Sequence, residues 1–217
     1  MNSNIVEVTG IVIKSQPIGE QDKRITLLTR ERGRLSFFAH GARRPGNSFM
    51  GVTRLFAYGT FHLYEGRDSY NLQAAEITNY FEDIPMNVEN TCYASYFLEL
   101  ADYYAHEYVN EPQMLKLLYL SLTALSKPSL PHELTRRIFE LRIMVIDGTY
   151  DPEPPEKEAG ESCRFAWHYI CTSPLEKLYT FNLSDSVMKE LSANADRSLS
   201  RYVDRPIHSL QILKEML

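Results

Sequence analysis

Nowhere in the 217 residues does an apolar run approach the roughly eighteen needed to cross a membrane, which argues against a membrane role. The opening M-N-S-N-I-V-E-V lacks the basic and apolar regions of a secretory signal, so a cytoplasmic protein is expected. Cysteine is scarce: Cys92, Cys163 and Cys171 form no even, closely spaced set, and a disulfide framework is not expected. There is no phosphate-binding glycine loop, no G-x-S-x-G and no H-E-x-x-H. Cys163, His168 and Cys171 are close in sequence, but two cysteines eight residues apart on one helix stand roughly 12 Å apart. They read as buried helical residues, and no metal or other cofactor is expected. Glu20 and Asp22 are a carboxylate pair without a third acid nearby, a poor basis for nuclease chemistry. The sequence reads as a binding protein rather than an enzyme.

Positive charge is also lacking overall, with a net charge of −5, yet its distribution is uneven. Residues 1–80 carry 10 basic and 7 acidic side chains, whereas the remainder carries 13 and 21. Between Lys23 and Arg44, seven basic residues face one acid, Glu31. Such a split predicts two domains with different partners, the first suited to an anionic ligand.

What is present in the first eighty residues is strand-like. Ile5–Lys14, Lys23–Thr29, Leu35–Ala39, Leu55–Tyr64 and Tyr70–Thr78 are β-branched or alternating runs separated by turns. Gly10 and Gly59 mark expected bends, and five short strands without helical periodicity predict a small barrel. After Asp83-Ile84-Pro85 the pattern turns helical. Helices are predicted over Val88–Tyr108, from Pro112 to before Lys127, and from Pro131 to about Ile146, where Asp147-Gly148 stops the third. A proline-rich acidic loop follows, then Ser162–Thr172, Ser184–Tyr202 with Ser184 as N-cap, and a terminal helix from Ser209. The predicted fold is α+β: a five-stranded barrel over residues 1–80 and an all-helical domain over 81–217.

The barrel offers cations and rings together. Lys23, Arg24, Arg30, Arg32, Arg34, Arg43 and Arg44 fall at strand ends and in loops, with Arg54 and Arg67 further on. Phe37, Phe38, Tyr58, Phe61, Tyr64 and Tyr70 are interleaved on the strands. Cations for phosphates and rings for bases suit single-stranded nucleic acid, and Phe37, Phe38, Tyr58 and Tyr64 are the stacking candidates. Alternation sends Phe37 and Phe38 to opposite faces, without saying which is outward.

Several stretches resemble a known family. G-x-V-I-K-S from Gly10, then G-E-x-D-x-x-I-T-L-L-T-x-E-x-G-R-L-S-F-F-A-x-G-A-R-R from Gly19 to Arg44, are similar to the amino-terminal domain of the bacterial RecO recombination-mediator family. The D-G-x-Y-x-P step at Asp147–Pro152 and the ending R-Y-V-D-R-P-I-H-S-L-Q-I-L at Arg201–Leu213 resemble the same family in order and spacing. The resemblance implies an OB-fold barrel, a helical domain and a non-enzymatic DNA-repair protein, cytoplasmic and nucleoid-associated. It implies binding of single- and double-stranded DNA, strand annealing, and, with RecR, loading of RecA onto strands coated by single-stranded-DNA-binding protein (SSB). Gly41-Ala42-Arg43-Arg44 corresponds to that family's basic loop. The four-cysteine zinc module of many members has no counterpart after Pro152, where the sequence reads E-P-P-E-K-E-A-G-E-S-C.

Arg136, Arg137 and Arg142 share a helix with Phe139 and Leu141, a mixture suited to an acidic, hydrophobic peptide such as the SSB tail. Ion pairing with Glu133 and Glu140 at helical spacing is the alternative. An RNA- or ribosome-associated OB-fold protein and a protein-binding adaptor are the competing functional readings.

Overall fold

The structure, a computed structural model, describes residues 4–156 and 158–216, so the chain's first three residues, Lys157 of the acidic loop and Leu217 lie outside it. The chain divides into two compact units. One comprises the chain up to Glu82 together with Ala101–Leu115; the other comprises Asp83–Leu100 and the chain from Lys116 onward.

The first unit is built on strands β1 (Ile5–Ile18), β2 (Asp22–Thr29), β3 (Gly33–Ala39), β4 (Tyr58–Glu65) and β5 (Tyr70–Asn79). They close in the order β1-β2-β3-β5-β4, antiparallel except where β3 meets β5 in parallel. This is the strand order of an OB-fold barrel. A four-residue helix α1 (Phe49–Val52), which the sequence pattern does not announce, precedes β4. Strand β3 alternates cleanly, with Leu35, Phe37 and Ala39 inward and Arg34, Ser36 and Phe38 outward. The barrel core gathers Val8, Val12, Ile25, Leu27, Leu35, Phe37, Phe61 and Leu63, with the Phe37 and Phe61 ring centroids 6.0 Å apart. Full burial of each such side chain contributes about 1.5–3 kcal/mol. The register shifts on β1 and at the start of β4 fall between Val12 and Lys14 and between Tyr58 and Gly59. The first bend is therefore past Gly10, the second at Gly59.

The helical elements are α2 (Val88–Tyr104), α3 (Pro112–Leu125), α4 (His132–Asp147), α5 (Glu161–Thr172), α6 (Asp185–Tyr202) and α7 (His208–Met216). A single 3₁₀ turn covers Leu175–Lys177. Helix α2 ends at Tyr104, four residues short of the predicted Tyr108, and releases residues 105–111 as an extended segment.

In the second unit α4 is buried around its circumference from Leu134 to Met144, as a central helix must be. It stops at Gly148, whose left-handed backbone lets Gly148 and Thr149 N–H groups cap carbonyls of the last turn. Asp151, three residues on, accepts bonds from Arg201 (2.6 Å), Ser198 (2.8 Å) and Tyr202 (3.2 Å). The carboxylate thus joins two distant sequence motifs, and the backbone carbonyl of the same residue receives the Trp167 indole N–H at 2.9 Å.

Candidate nucleic-acid interface

The outer face of β2–β3 follows from register. Opposite residues of an antiparallel pair point the same way, and Arg24 faces Phe38, Thr26 faces Ser36 and Leu28 faces Arg34. His40 continues the β3 stripe, its ring stacked on Phe38 with centroids 6.3 Å apart. One polar, aromatic stripe therefore runs from Arg34 to the basic loop.

A cleft of about 550 Å³ opens over this stripe, lined by Arg24, Arg34, Ser36, Phe38 and the β4–β5 turn from Glu65 to Tyr70, and also by Arg32, Glu107 and Tyr108. The strand 2–3 face and the loop between strands 4 and 5 are where OB folds hold oligonucleotides. Two of its cations are already engaged. Arg32 Nη1 donates to the Tyr70 hydroxyl at 2.6 Å and lies 3.4 Å from Glu65, and its guanidinium sits over the Tyr70 ring. Arg34 pairs with Glu107 at 3.2 Å and with Asp102 at 3.7 Å. The Tyr70 hydroxyl in turn donates to Glu65 at 2.7 Å, a bond that holds the Glu65 carboxyl below its ordinary range. Burial first, and then that bond, raise the Tyr70 phenol, to which Tyr108 adds a smaller contribution.

The extended segment after α2 is tied to the β2–β3 turn. Arg34 N–H donates to His106 O (2.9 Å), Tyr108 N–H to Arg32 O (3.0 Å) and Glu111 N–H to Arg30 O (3.1 Å). Gly33 permits this approach: its φ is +58°, and a Cβ there would lie 2.1 Å from His106 O.

At the other end of the stripe the basic loop is anchored to the β1–β2 turn. Asp22 Oδ1 accepts the Gly41 N–H at 2.7 Å and Asp22 Oδ2 meets His40 Nδ1 at 2.8 Å. Arg43 N–H donates to Gln21 O at 2.9 Å. The side chains of Arg43 and Arg44 reach Gly19 O and the Gln21 amide oxygen, yet both remain exposed. Lys23 beside them donates to Thr53 at 3.3 Å, its pKa lowered by burial and by the Arg43 charge. Arg54 lies over the Tyr80 ring at 5.8 Å.

The cleft unites Arg24, Arg32, Arg34, Arg67 and Phe38, and the loop unites Lys23, Arg43 and Arg44. Arg30 instead pairs with Glu31 at 2.8 Å and does not line the cleft. Phe37 is corrected as a stacking candidate: it is 1% exposed in the barrel core, whereas its neighbour Phe38 is on the outward face and lines the cleft. Tyr58 and Tyr64, on β4, do not line the cleft either. Sequence reasoning missed Glu65, Glu107 and Tyr108, and it counted Tyr70 only as one of several interleaved rings.

Residues 1–81 match the family model described as recombination protein O, N-terminal, and residues 86–150 match recombination protein O, C-terminal. The chain belongs to the RecO family. A DNA repair protein RecO from Acetivibrio thermocellus is 26% identical over 245 residues, covering 98% of both chains. Those of Halalkalibacterium halodurans (31% identical, 71% of this chain and 59% of the relative) and Symbiobacterium thermophilum (34%, 66% and 57%) match over less than two thirds of their own length. Membership supports a role in DNA repair by recombination.

Within the helical unit the three arginines expected to form a peptide groove are buried. Arg136 and Arg137 each bond Glu140 at 2.8 Å, Arg137 also bonds Glu133 (2.8 Å) and Asp196 (2.7 Å), and the Tyr96 hydroxyl donates to Glu140 at 2.7 Å. Burial pushes the Glu140 carboxyl up, but Arg137 and Arg136 outweigh it and hold the group below its ordinary value. Arg142 points its guanidinium at the Ile170 and Cys171 carbonyls, closing the C-terminal end of α5. The ion-pair alternative describes Arg136 and Arg137, because a helix buried all round can keep such arginines only as internal partners, while Arg142 bonds backbone carbonyls and is in no ion pair among the described residues. Cys163 and Cys171 lie on the unbroken α5, both buried, their thiols pushed up by burial to about 11 and about 12. Among the described residues no helix is long and apolar enough to cross a membrane.

Proposed function

We propose that this chain is a non-catalytic DNA-binding mediator of recombinational repair acting in the cytoplasm at the nucleoid. It binds single- and double-stranded DNA, anneals complementary strands and, with RecR, helps load RecA onto SSB-coated strands, contacting the SSB tail. The observation that supports this best is the continuous β2–β3 stripe, with rings and cations in a cleft at one end and the anchored Arg43–Arg44 loop at the other.

The charges divide the labour. Lys23, Arg24, Arg43, Arg44, Arg54 and Arg67 are in no ion pair among the described residues, which leaves six cations on the barrel for phosphates. Neutralising six phosphates of a single strand gives a slope of log affinity against log salt of about −4. The tail contact does not rest on Arg136 or Arg137, whose charges are paired internally, nor on Arg142, which is buried against the Ile170 and Cys171 carbonyls.

Annealing of complementary oligonucleotides by the purified protein is the decisive experiment. Accelerated annealing with a salt slope near −4 supports the reading. Preference for RNA of the same sequence, without annealing, would favour the RNA-associated alternative, and no binding to either would reject the interface.

A further inference from the structure

Among the described residues three non-glycine residues adopt left-handed backbone: Phe56 (φ +71°), Phe81 (φ +49°) and Tyr108 (φ +63°). A side chain with a Cβ is disfavoured there, most of all a bulky one. For Phe56 and Phe81 the offset is visible, since they are 5% and 7% exposed and their rings are buried. Tyr108 is 75% exposed, so burial offsets nothing. A connecting segment with no other task would carry glycine or asparagine at that turn.

The strain is held in place by specific bonds. The Tyr108 N–H is fixed to Arg32 O, and the flanking His106 and Glu111 are fixed to the same β2–β3 turn. This holds the tyrosine among the residues that line the cleft, together with Phe38 and Tyr70. Strain kept at an exposed aromatic, beside a cleft already holding two rings, points to a contact made by the ring itself.

The nature of that contact follows from the cleft's charge. Of its four guanidiniums, Arg32 and Arg34 are paired with Glu65 and Glu107, whereas Arg24 and Arg67 are in no ion pair among the described residues. The paired side of the cleft, where Tyr108 is tied to Arg32, is poor for a phosphate and suits an uncharged ring with polar edges, while Arg24 and Arg67 are left for the flanking phosphates. We infer that Tyr108 is a base-stacking residue whose ring closes, over the β2–β3 face, a subsite for one unpaired base of single-stranded DNA. This rests on the DNA-binding reading above and adds to it a contact from outside the barrel strands.

Stacking contributes affinity without neutralising phosphate, so affinity and salt slope separate. Single-strand binding is measured by anisotropy across a salt series, together with quenching of a 2-aminopurine-labelled oligonucleotide. Tyr108→Ala should weaken binding about tenfold, within the range found for loss of one stacked base, reduce the quenching, and leave the slope unchanged. Tyr108→Phe should bind as the parent does. Tyr108→Gly should lose affinity like the alanine variant while its melting temperature stays level or rises, because glycine relieves the left-handed strain.

Equal binding by parent and Tyr108→Ala overturns the inference and leaves the DNA reading standing. Equal losses in Tyr108→Phe and Tyr108→Ala would assign the effect to the hydroxyl and overturn stacking. A parent protein that does not bind single strands overturns both. Should the alanine variant not fold, the phenylalanine and glycine variants carry the same comparison.

Discussion

Asp22 grips the start of the basic loop with both carboxylate oxygens, one 2.8 Å from His40 Nδ1 and the other accepting the Gly41 N–H at 2.7 Å. The second imidazole nitrogen faces Asn71 Oδ1 at 3.0 Å, so both ring nitrogens meet acceptors, which favours the imidazolium. The His40 pKa is accordingly raised, chiefly by the Asp22 bond against the opposing effect of burial. The Asp22 pKa is lowered, first by the Gly41 N–H and then by His40.

The pH dependence has a definite sign. A raised histidine pKa stabilises fully below the unfolded value of 6.5, and that stability is lost as pH rises through the folded value. The lowered carboxylate contributes above 3.8 and is lost as pH falls through its own folded value. The melting-temperature difference between the parent and Asp22→Asn should therefore be larger at pH 6 than at pH 8.5. An NMR titration should place the parent His40 midpoint above 6.5 and move it down in the variant. An unchanged midpoint would remove the pair from the loop's organisation.

Reversing Arg43 and Arg44 together to glutamate tests the phosphate side. Each lost phosphate contact lowers the single-strand salt slope by about 0.7, so the double variant should flatten it by about 1.4. Both side chains are exposed and hydrogen-bond only to the neighbouring turn, so unfolding free energy should change by less than about 1 kcal/mol. A folded variant with the parent's slope would place the phosphates elsewhere.

In the helical unit Glu140 is fully buried between two arginines and the Tyr96 hydroxyl. Glu140→Ala should lower stability by about 3–5 kcal/mol in urea titration, because it leaves Arg136 and Arg137 buried without their shared counter-charge. Asp196 and Glu133 retain contact with Arg137, which sets the loss toward the lower end. A loss under about 1 kcal/mol would mean that water reaches the network.

The barrel was legible because alternation is local: Leu35, Ser36, Phe37 and Phe38 announce a two-faced strand. Which face is inward depends on register with β2, and that information lies outside β3, so Phe37 and Phe38 could not be told apart. The helical arginines were legible as a choice, since spacings of three and four serve an internal ion pair and an exposed groove equally well. Burial of α4 on every side decided it. The segment 105–111 left no signal at all. It has no period, and its hydrogen bonds reach a turn some seventy residues earlier, so the sequence pattern carried α2 on as far as Tyr108.

Gly33 therefore carries more of the interface than its place in a turn suggests. Its backbone is left-handed, and a methyl group there would meet His106 O at 2.1 Å and Val109 O at 2.8 Å, both backbone atoms. Gly33→Ala should cost about 1–2 kcal/mol from the backbone conformation alone, and more if the segment stays seated. The cheaper response is for residues 105–111 to lift away, which breaks the bonds to Arg30, Arg32 and Arg34 but spares the inward side chains of β3. The variant should thus show faster hydrogen exchange at the Arg34 and Tyr108 amides, a retained barrel, and weaker single-strand binding with an unchanged salt slope. If exchange speeds up while affinity holds, the segment is structural and Tyr108 makes no contact with DNA. If the barrel itself unfolds, the segment is part of the barrel's stability rather than an attachment to it.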